Sequence, residues 1–143
     1  MKPVFAVDVG GVLASQSHDG DPSDDTRVVV RELAIVYDLH IVSMCGRNRA
    51  LRTREWLTYY GLAEHFKDQH YIGFDKKNKN DVLVKIGATH FIDDRWKHIG
   101  PALMLNNVKC FHFCDEEDRI DGAILSKQYV WSPTWEEVLR GAL

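Results

Sequence analysis

The sequence predicts a three-layer α/β domain, a parallel sheet with helices on both faces. Three observations carry this. Short apolar runs alternate with stretches of helical periodicity along the whole chain. No repeat or linker interrupts the alternation. The length of 143 residues suits one domain around one core, residues 1–143. Strands joined by helices run parallel, and a sheet covered on both faces reads as continuous apolar runs.

The elements follow in order. Residues 4–7 (VFAV) are rich in β-formers and read as a buried strand. It ends at Asp8-Val9-Gly10-Gly11, where the backbone can turn tightly. Residues 14–25 are polar and turn-rich, a loop with Asp19, Asp21, Asp24 and Asp25 solvated. Residues 26–37 carry Val29, Val30, Leu33, Ala34 and Tyr37 at helical spacing, with Asp24 or Asp25 as N-cap. Residues 39–42 form a second strand ending at Ser43, and residues 47–60 a helix closed by Gly61. Residues 69–72 give a short third strand, 80–86 a helix ended by Gly87, and 90–92 a strand ending at Asp93-Asp94. A short helix over 96–103 and a strand over 108–113 follow. Residues 114–121 read as a polar loop and 129–130 as a last strand. Ser132 then caps a C-terminal helix with Pro133 at its first position.

Composition narrows the class. Hydrophobic residues make up 45% and charged residues 27%, the balance of a soluble globular protein. A net charge of −3 argues against a general nucleic-acid or membrane-surface binder, while leaving room for a local basic patch. Three cysteines, Cys45, Cys110 and Cys114, match neither a disulfide framework nor a CxxC zinc spacing, so a reducing, cytoplasmic location is expected. The N-terminal apolar run is broken by Asp8, and no stretch approaches the roughly 20 apolar residues of a membrane span.

In a sheet of this kind ligands bind beyond the C-terminal strand ends. Asp8, Ser43 and Asp93-Asp94 all fall there. Each Asp alone could simply begin a turn or cap a helix. Together they bring three carboxylates to one edge of the sheet, and like charges so close need a cation. Oxygen donors of this type suit Mg²⁺. His40, His90 and His112 lie in strand contexts and are expected to be buried, hydrogen-bonded histidines.

Three segments also carry a resemblance. FAVDVGGVL resembles motif I of the haloacid dehalogenase superfamily, HIVSMCGR its motif II, and THFIDDRWKHI its motif IV. The last segment, and the stretch RTREWL after Ser43, are similar to the nucleotidase-like and polynucleotide-phosphatase-like branches. The match runs from residue 4 to about residue 99. It implies a Rossmann-like, capless, Mg²⁺-dependent phosphohydrolase acting on a phosphorylated substrate, small or macromolecular, with nucleotides and polynucleotide ends among the candidates. Asp8 would be the nucleophile. Mg²⁺ would be held by Asp8, the Gly10 carbonyl and Asp93, with Asp94 as second ligand or support. Ser43 would bond a phosphoryl oxygen, and Gly11, Gly46 and Arg47 would contact the phosphate. A motif III lysine would neutralise charge on the transferred group. Lys76, Lys77 and Lys79 all crowd the right segment, and Lys79 fits best.

Gly10 departs from the pattern. Hydrolytic members usually carry a second Asp there as general acid, a function worth roughly 10²–10⁴-fold. Two readings stay open: a phosphohydrolase restricted to good leaving groups, or a catalytically weakened or silent module that binds metal, phosphate or a partner. A third, dehalogenation, tolerates Gly10 but fits poorly with the missing cap and the acidic ligands. Any replacement proton donor would be sought first in the loop at 14–25, at His18 and Asp19.

Overall fold

Six strands build one parallel sheet in the order β3-β2-β1-β4-β5-β6. They are β1 (Val4–Val7), β2 (Asp38–Met44), β3 (Phe66–Ile72), β4 (Ala88–Asp93), β5 (Lys109–His112) and β6 (Tyr129–Trp131). Between them run α1 (Asp24–Val36), α2 (Arg47–Tyr59), α3 (Asn80–Ile86) and α4 (Trp96–Ala102), and α5 (Trp135–Ala142) follows β6. The computed structural model describes residues 1–14, 20–122 and 126–143. His18 and Asp19 of the first loop lie outside the described residues. Among the described residues no second domain stands over the sheet, and no helix is long and apolar enough to cross a membrane.

Alternation along each strand sorts side chains onto two faces. Phe5, Val7, Leu39, Ile41, Ile92 and Phe111 pack on one side with α1, Leu57 of α2 and α5. Ala6, Val42, Phe91 and Cys110 pack on the other with Leu83 of α3 and Ile99 of α4. This double coverage explains why β1 reads as an unbroken apolar run. It also fixes the backbone from which the acidic residues project. The three cysteines are free thiols.

Local signals explain most boundaries, and the structure corrects some. Helix α1 starts at Asp24, capped by Ser23, whose hydroxyl accepts from the Thr26 N–H at 3.1 Å, rather than by Asp24 or Asp25. Gly61, at φ +70°, follows α2 with the paired bonds Gly61 N–H to Thr58 and Leu62 N–H to Leu57 that turn the chain away. Strand β3 extends back to Phe66 because exposed Lys67 and Asp68 belong to an edge strand and mask its start. Helix α5 is capped by Thr134, which accepts from Glu137 N–H at 3.2 Å, and not by Ser132. Ser132 instead prolongs the β6 pairing, its N–H bonding His112 O at 2.9 Å, so the helix opens later.

The strand histidines are structural. His40 meets His70 at 3.0 Å, and His112 meets the Tyr129 hydroxyl at 2.7 Å. His90 bonds Thr89 Oγ1 at 2.8 Å and stacks against Phe5 and Phe111. Burial, with a smaller push from Lys109, lowers His90 to about 4. Its folded value lies below the unfolded one near 6.5, so protonation favours the unfolded chain. The stabilising neutral state is complete above pH ~6.5 and is lost as pH falls toward about 4. Urea midpoints measured across this window should fall on acidification, with a shallower slope for His90→Phe, which keeps the ring stack without the titration. Identical slopes would contradict this assignment.

Candidate active site

The sheet order reverses between β1 and β4, and in open α/β sheets ligands bind at such a switch point beyond the C-terminal strand ends. Asp8 follows β1 directly, Asp93 ends β4, and Asp94 comes next. One carboxylate oxygen from each of these three lies within 4.8 Å of the others. Asp8 and Asp93 are buried, Asp93 completely.

Lys79, the N-cap residue of α3, reaches into this cluster. Its Nζ donates to Asp8 Oδ1 at 2.9 Å and to Asp93 Oδ2 at 2.6 Å. The other Asp93 oxygen accepts the Arg95 backbone N–H at 3.0 Å. Lys79 is 1% exposed, whereas Lys76 and Lys77 are exposed and line no part of the cavity. Of the three candidate lysines, the structure brings only Lys79 to the carboxylates.

The electrostatics follow from burial. Desolvation, then the Asp93 charge, pushes Asp8 well above the usual carboxylate range; Lys79 pulls it back only in part. Burial opposes the charge on Lys79, but Asp8 and Asp93 together hold it above its ordinary value, so the ammonium persists. Lys79 faces both buried carboxylates, Asp8 and Asp93, with Asp94 beside them. The donor set is all oxygen, so these residues fit a hard divalent cation.

The cluster forms the floor of a cavity of about 420 Å³ that is also lined by Gly10, Ser43, Gly46 and Cys45. Ser43 is buried near the end of β2, and Gly46 is the N-cap of α2. Burial pushes the Cys45 thiol above its ordinary value. Two expected phosphate contacts lie elsewhere. Arg47 is exposed and outside the lining, which takes Arg49 and Arg52 further along α2. Gly11 lines a neighbouring hollow with Asp94, and its N–H is used by Ala14 O at 2.8 Å. Gly11 has φ +78°, so it carries the turn's demand for a residue without a side chain. Gly10 is not among the positive-φ glycines, so backbone conformation does not exclude a side chain there.

Sequence reasoning missed His98, Arg95, Lys97 and Phe74 as lining residues. His98 is 4% exposed, its Nδ1 has no hydrogen-bond partner among the described residues, and burial lowers it to about 4. Its position one turn into the helix after Asp94 was the available signal.

No family model and no curated protein matches this chain. Solved structures do. A haloacid dehalogenase-like family hydrolase of Streptococcus pneumoniae matches at TM-score 0.70 and 10% identity, over 99% of each chain. One from Xanthomonas campestris matches at TM-score 0.61 and 13% identity, over 85% of this chain and 55% of its own. Bacillus subtilis YfnB, described as a HAD-hydrolase and solved bound to magnesium, matches at TM-score 0.65 and 18% identity, over 85% and 56%. The chain therefore spans little more than half the length of the last two. At these identities the likeness is one of fold.

Removing one partner from a buried ion cluster costs about 3–5 kcal/mol, because the remaining charges stay uncompensated. Lys79→Met should lose about that much at pH 8 by chemical denaturation, and less at pH 5, where Asp8 can take up a proton. A Lys79→Met loss that is equal at both pH values would show that the ammonium does not compensate these carboxylates.

Proposed function

We propose that this chain, which has the haloacid dehalogenase-like fold, is a Mg²⁺-dependent phosphohydrolase with Asp8 as nucleophile. The single observation behind this is Lys79 bridging Asp8 and Asp93 in a buried, oxygen-rich cluster at the switch point of the sheet. Asp8, Asp93 and the Gly10 carbonyl would hold the cation, with Asp94 as a further ligand or support. When bound, Mg²⁺ supplies positive charge beside the nucleophile and the phosphoryl oxygens.

The chain's own groups supply the rest. An Asp8 oxygen attacks phosphorus, the bond from phosphorus to the leaving oxygen breaks, and an aspartyl-phosphate remains. The leaving oxygen departs with the bonding electrons. Water then attacks phosphorus, releasing inorganic phosphate and restoring the Asp8 carboxylate. Lys79 favours the ionised form of Asp8 against burial and the Asp93 charge, and neutralises charge on the transferring group. Ser43 donates to a phosphoryl oxygen. Gly46, at the start of the 13-residue helix α2, presents its positive end to the same group.

Gly10 leaves the departing oxygen without a general acid. The proposed substrates are therefore phosphates with good leaving groups, and nucleotides or polynucleotide ends would react slowly. Gly10 is also the one observation that favours a second reading, a silent module that binds phosphate or metal without turnover.

Leaving-group dependence separates the two. Acetyl phosphate and p-nitrophenyl phosphate should be hydrolysed with Mg²⁺, nucleoside monophosphates much more slowly, and Asp8→Asn should abolish both activities. Gly10→Asp should raise turnover by up to roughly 10²–10⁴-fold, most for poor leaving groups. A folded Gly10→Asp protein that binds Mg²⁺ and hydrolyses no phosphate would leave the binding module as the function.

A further inference from the structure

Among the residues that line the active-site cavity, Met44 and Phe74 carry the large apolar side chains. Phe74 is 72% exposed. Of the large apolar side chains exposed among the described residues, it alone lines this cavity. Single exposed apolar residues are common on any surface and need no ligand. Phe74 differs in its position and in its support.

The sheet sets the position. Phe74 comes two residues after the C-terminal end of β3, Met44 is the last residue of β2, and Asp8 follows β1. These three strands are neighbours in that order. Phe74 and Asp8 therefore stand on one edge of the sheet, two strand spacings or roughly 10 Å apart, with half-buried Met44 on the strand between them. A turn supplies the support. The Lys76 N–H donates to Gly73 O at 3.3 Å, which places Phe74 and Asp75 at the corners. A Cβ at Gly73 would lie 2.8 Å from Asp75 Oδ1, so glycine lets that carboxylate fold against the turn. The Phe74 ring has no aromatic neighbour among the described residues.

Two constraints then meet at one ligand. Gly10 gives the departing oxygen no proton, so that oxygen has to be stable as an anion. Acyl phosphates and aryl phosphates both satisfy this, and alkyl phosphates do not. Acetyl phosphate, with a single methyl group, leaves Phe74 untouched. A ring joined through oxygen to a phosphorus at Asp8 reaches across Met44 toward Phe74. We propose that the substrate is an aryl phosphate, its ring against Phe74 and Met44 and its phosphoryl group at Asp8. Ring on ring and thioether on ring are both favourable contacts beyond the area they bury. In the transfer, the bond from Asp8 oxygen to phosphorus forms as the bond from phosphorus to the phenolic oxygen breaks. Phenolate leaves with the electron pair and takes its proton from water afterwards. A phenol ionises near pH ~10, far below a sugar hydroxyl, so it departs without an acid. The inference rests on the phosphohydrolase reading and names the substrate class for that site.

Calorimetry with Mg²⁺ and phosphonates, which have no ester bond to break, reads the ring contact without turnover. Phenylphosphonate should bind about fivefold more tightly than methylphosphonate. The ratio should fall below about twofold in Phe74→Ala and persist in Phe74→Trp. Tyr59→Ala, which removes an exposed ring outside the cavity, should keep it. In turnover, kcat/KM for p-nitrophenyl phosphate relative to acetyl phosphate should drop about fivefold on Phe74→Ala, chiefly through KM. A phosphotyrosine peptide preferred over phenyl phosphate identifies a protein-borne phenol, and the reverse order a free one; either result supports the inference if it depends on Phe74. Equal binding of the two phosphonates, or a ratio that survives Phe74→Ala, overturns the aryl site and leaves hydrolysis of acetyl phosphate standing. Faster turnover of nucleoside monophosphates than of aryl phosphates overturns it as well. Failure of every phosphonate to bind and of every phosphate to react removes the hydrolase reading and this inference with it.

Discussion

The Lys79 ammonium between Asp8 and Asp93 is the interaction on which the rest of this structure depends. Two carboxylates and an ammonium are held with side-chain exposures of 10%, 0% and 2%. Desolvating such a group costs several kcal/mol per ion, and hydrophobic replacements of similar volume are often equally stable or more so. Stability alone therefore does not account for its presence. Two buried carboxylates sharing one lysine, with the half-buried Asp94 beside them, supply the oxygen donors on which the proposed metal and phosphate chemistry rests.

The fold serves this cluster by fixing its origins. Asp8 and Asp93 project from adjacent parallel strands whose residues are packed on both faces. Lys79 arrives from the start of α3, and the bond from the Arg95 N–H to Asp93 sets the carboxylate's orientation. Charges held by strands and helix ends move little, which is the condition for electrostatic preorganisation. Gly10 stands apart from this rigidity. The adjacent Gly11, not Gly10, has the left-handed conformation, so the sign of φ does not account for the glycine at position 10.

Much of this was legible in the sequence, for identifiable reasons. Strand β1 and helix α3 match their expected bounds, because a doubly covered strand is an apolar run and because Gly87, at φ +70°, ends the helix. Asp8, Ser43, Lys79 and Asp93 all line one cavity, since strand ends in a parallel sheet share an edge. The edge strand β3 and the caps Ser23 and Thr134 were harder to read. Exposure hides periodicity, and several adjacent Ser, Thr and Asp residues compete for one cap position. Arg49 and Arg52 in place of Arg47, and His98 at all, depend on helix rotation relative to the sheet, which spacing alone does not give.

The most direct test of the account is chemical identification of the phosphorylated residue. The protein is mixed with acetyl phosphate and Mg²⁺, quenched in acid, digested and examined by mass spectrometry. The account predicts one phosphoryl group on the peptide containing Asp8, lost with hydroxylamine and absent in Asp8→Asn. Phosphate carried by any other residue, or substrate consumption with no acyl-phosphate at Asp8, would contradict it.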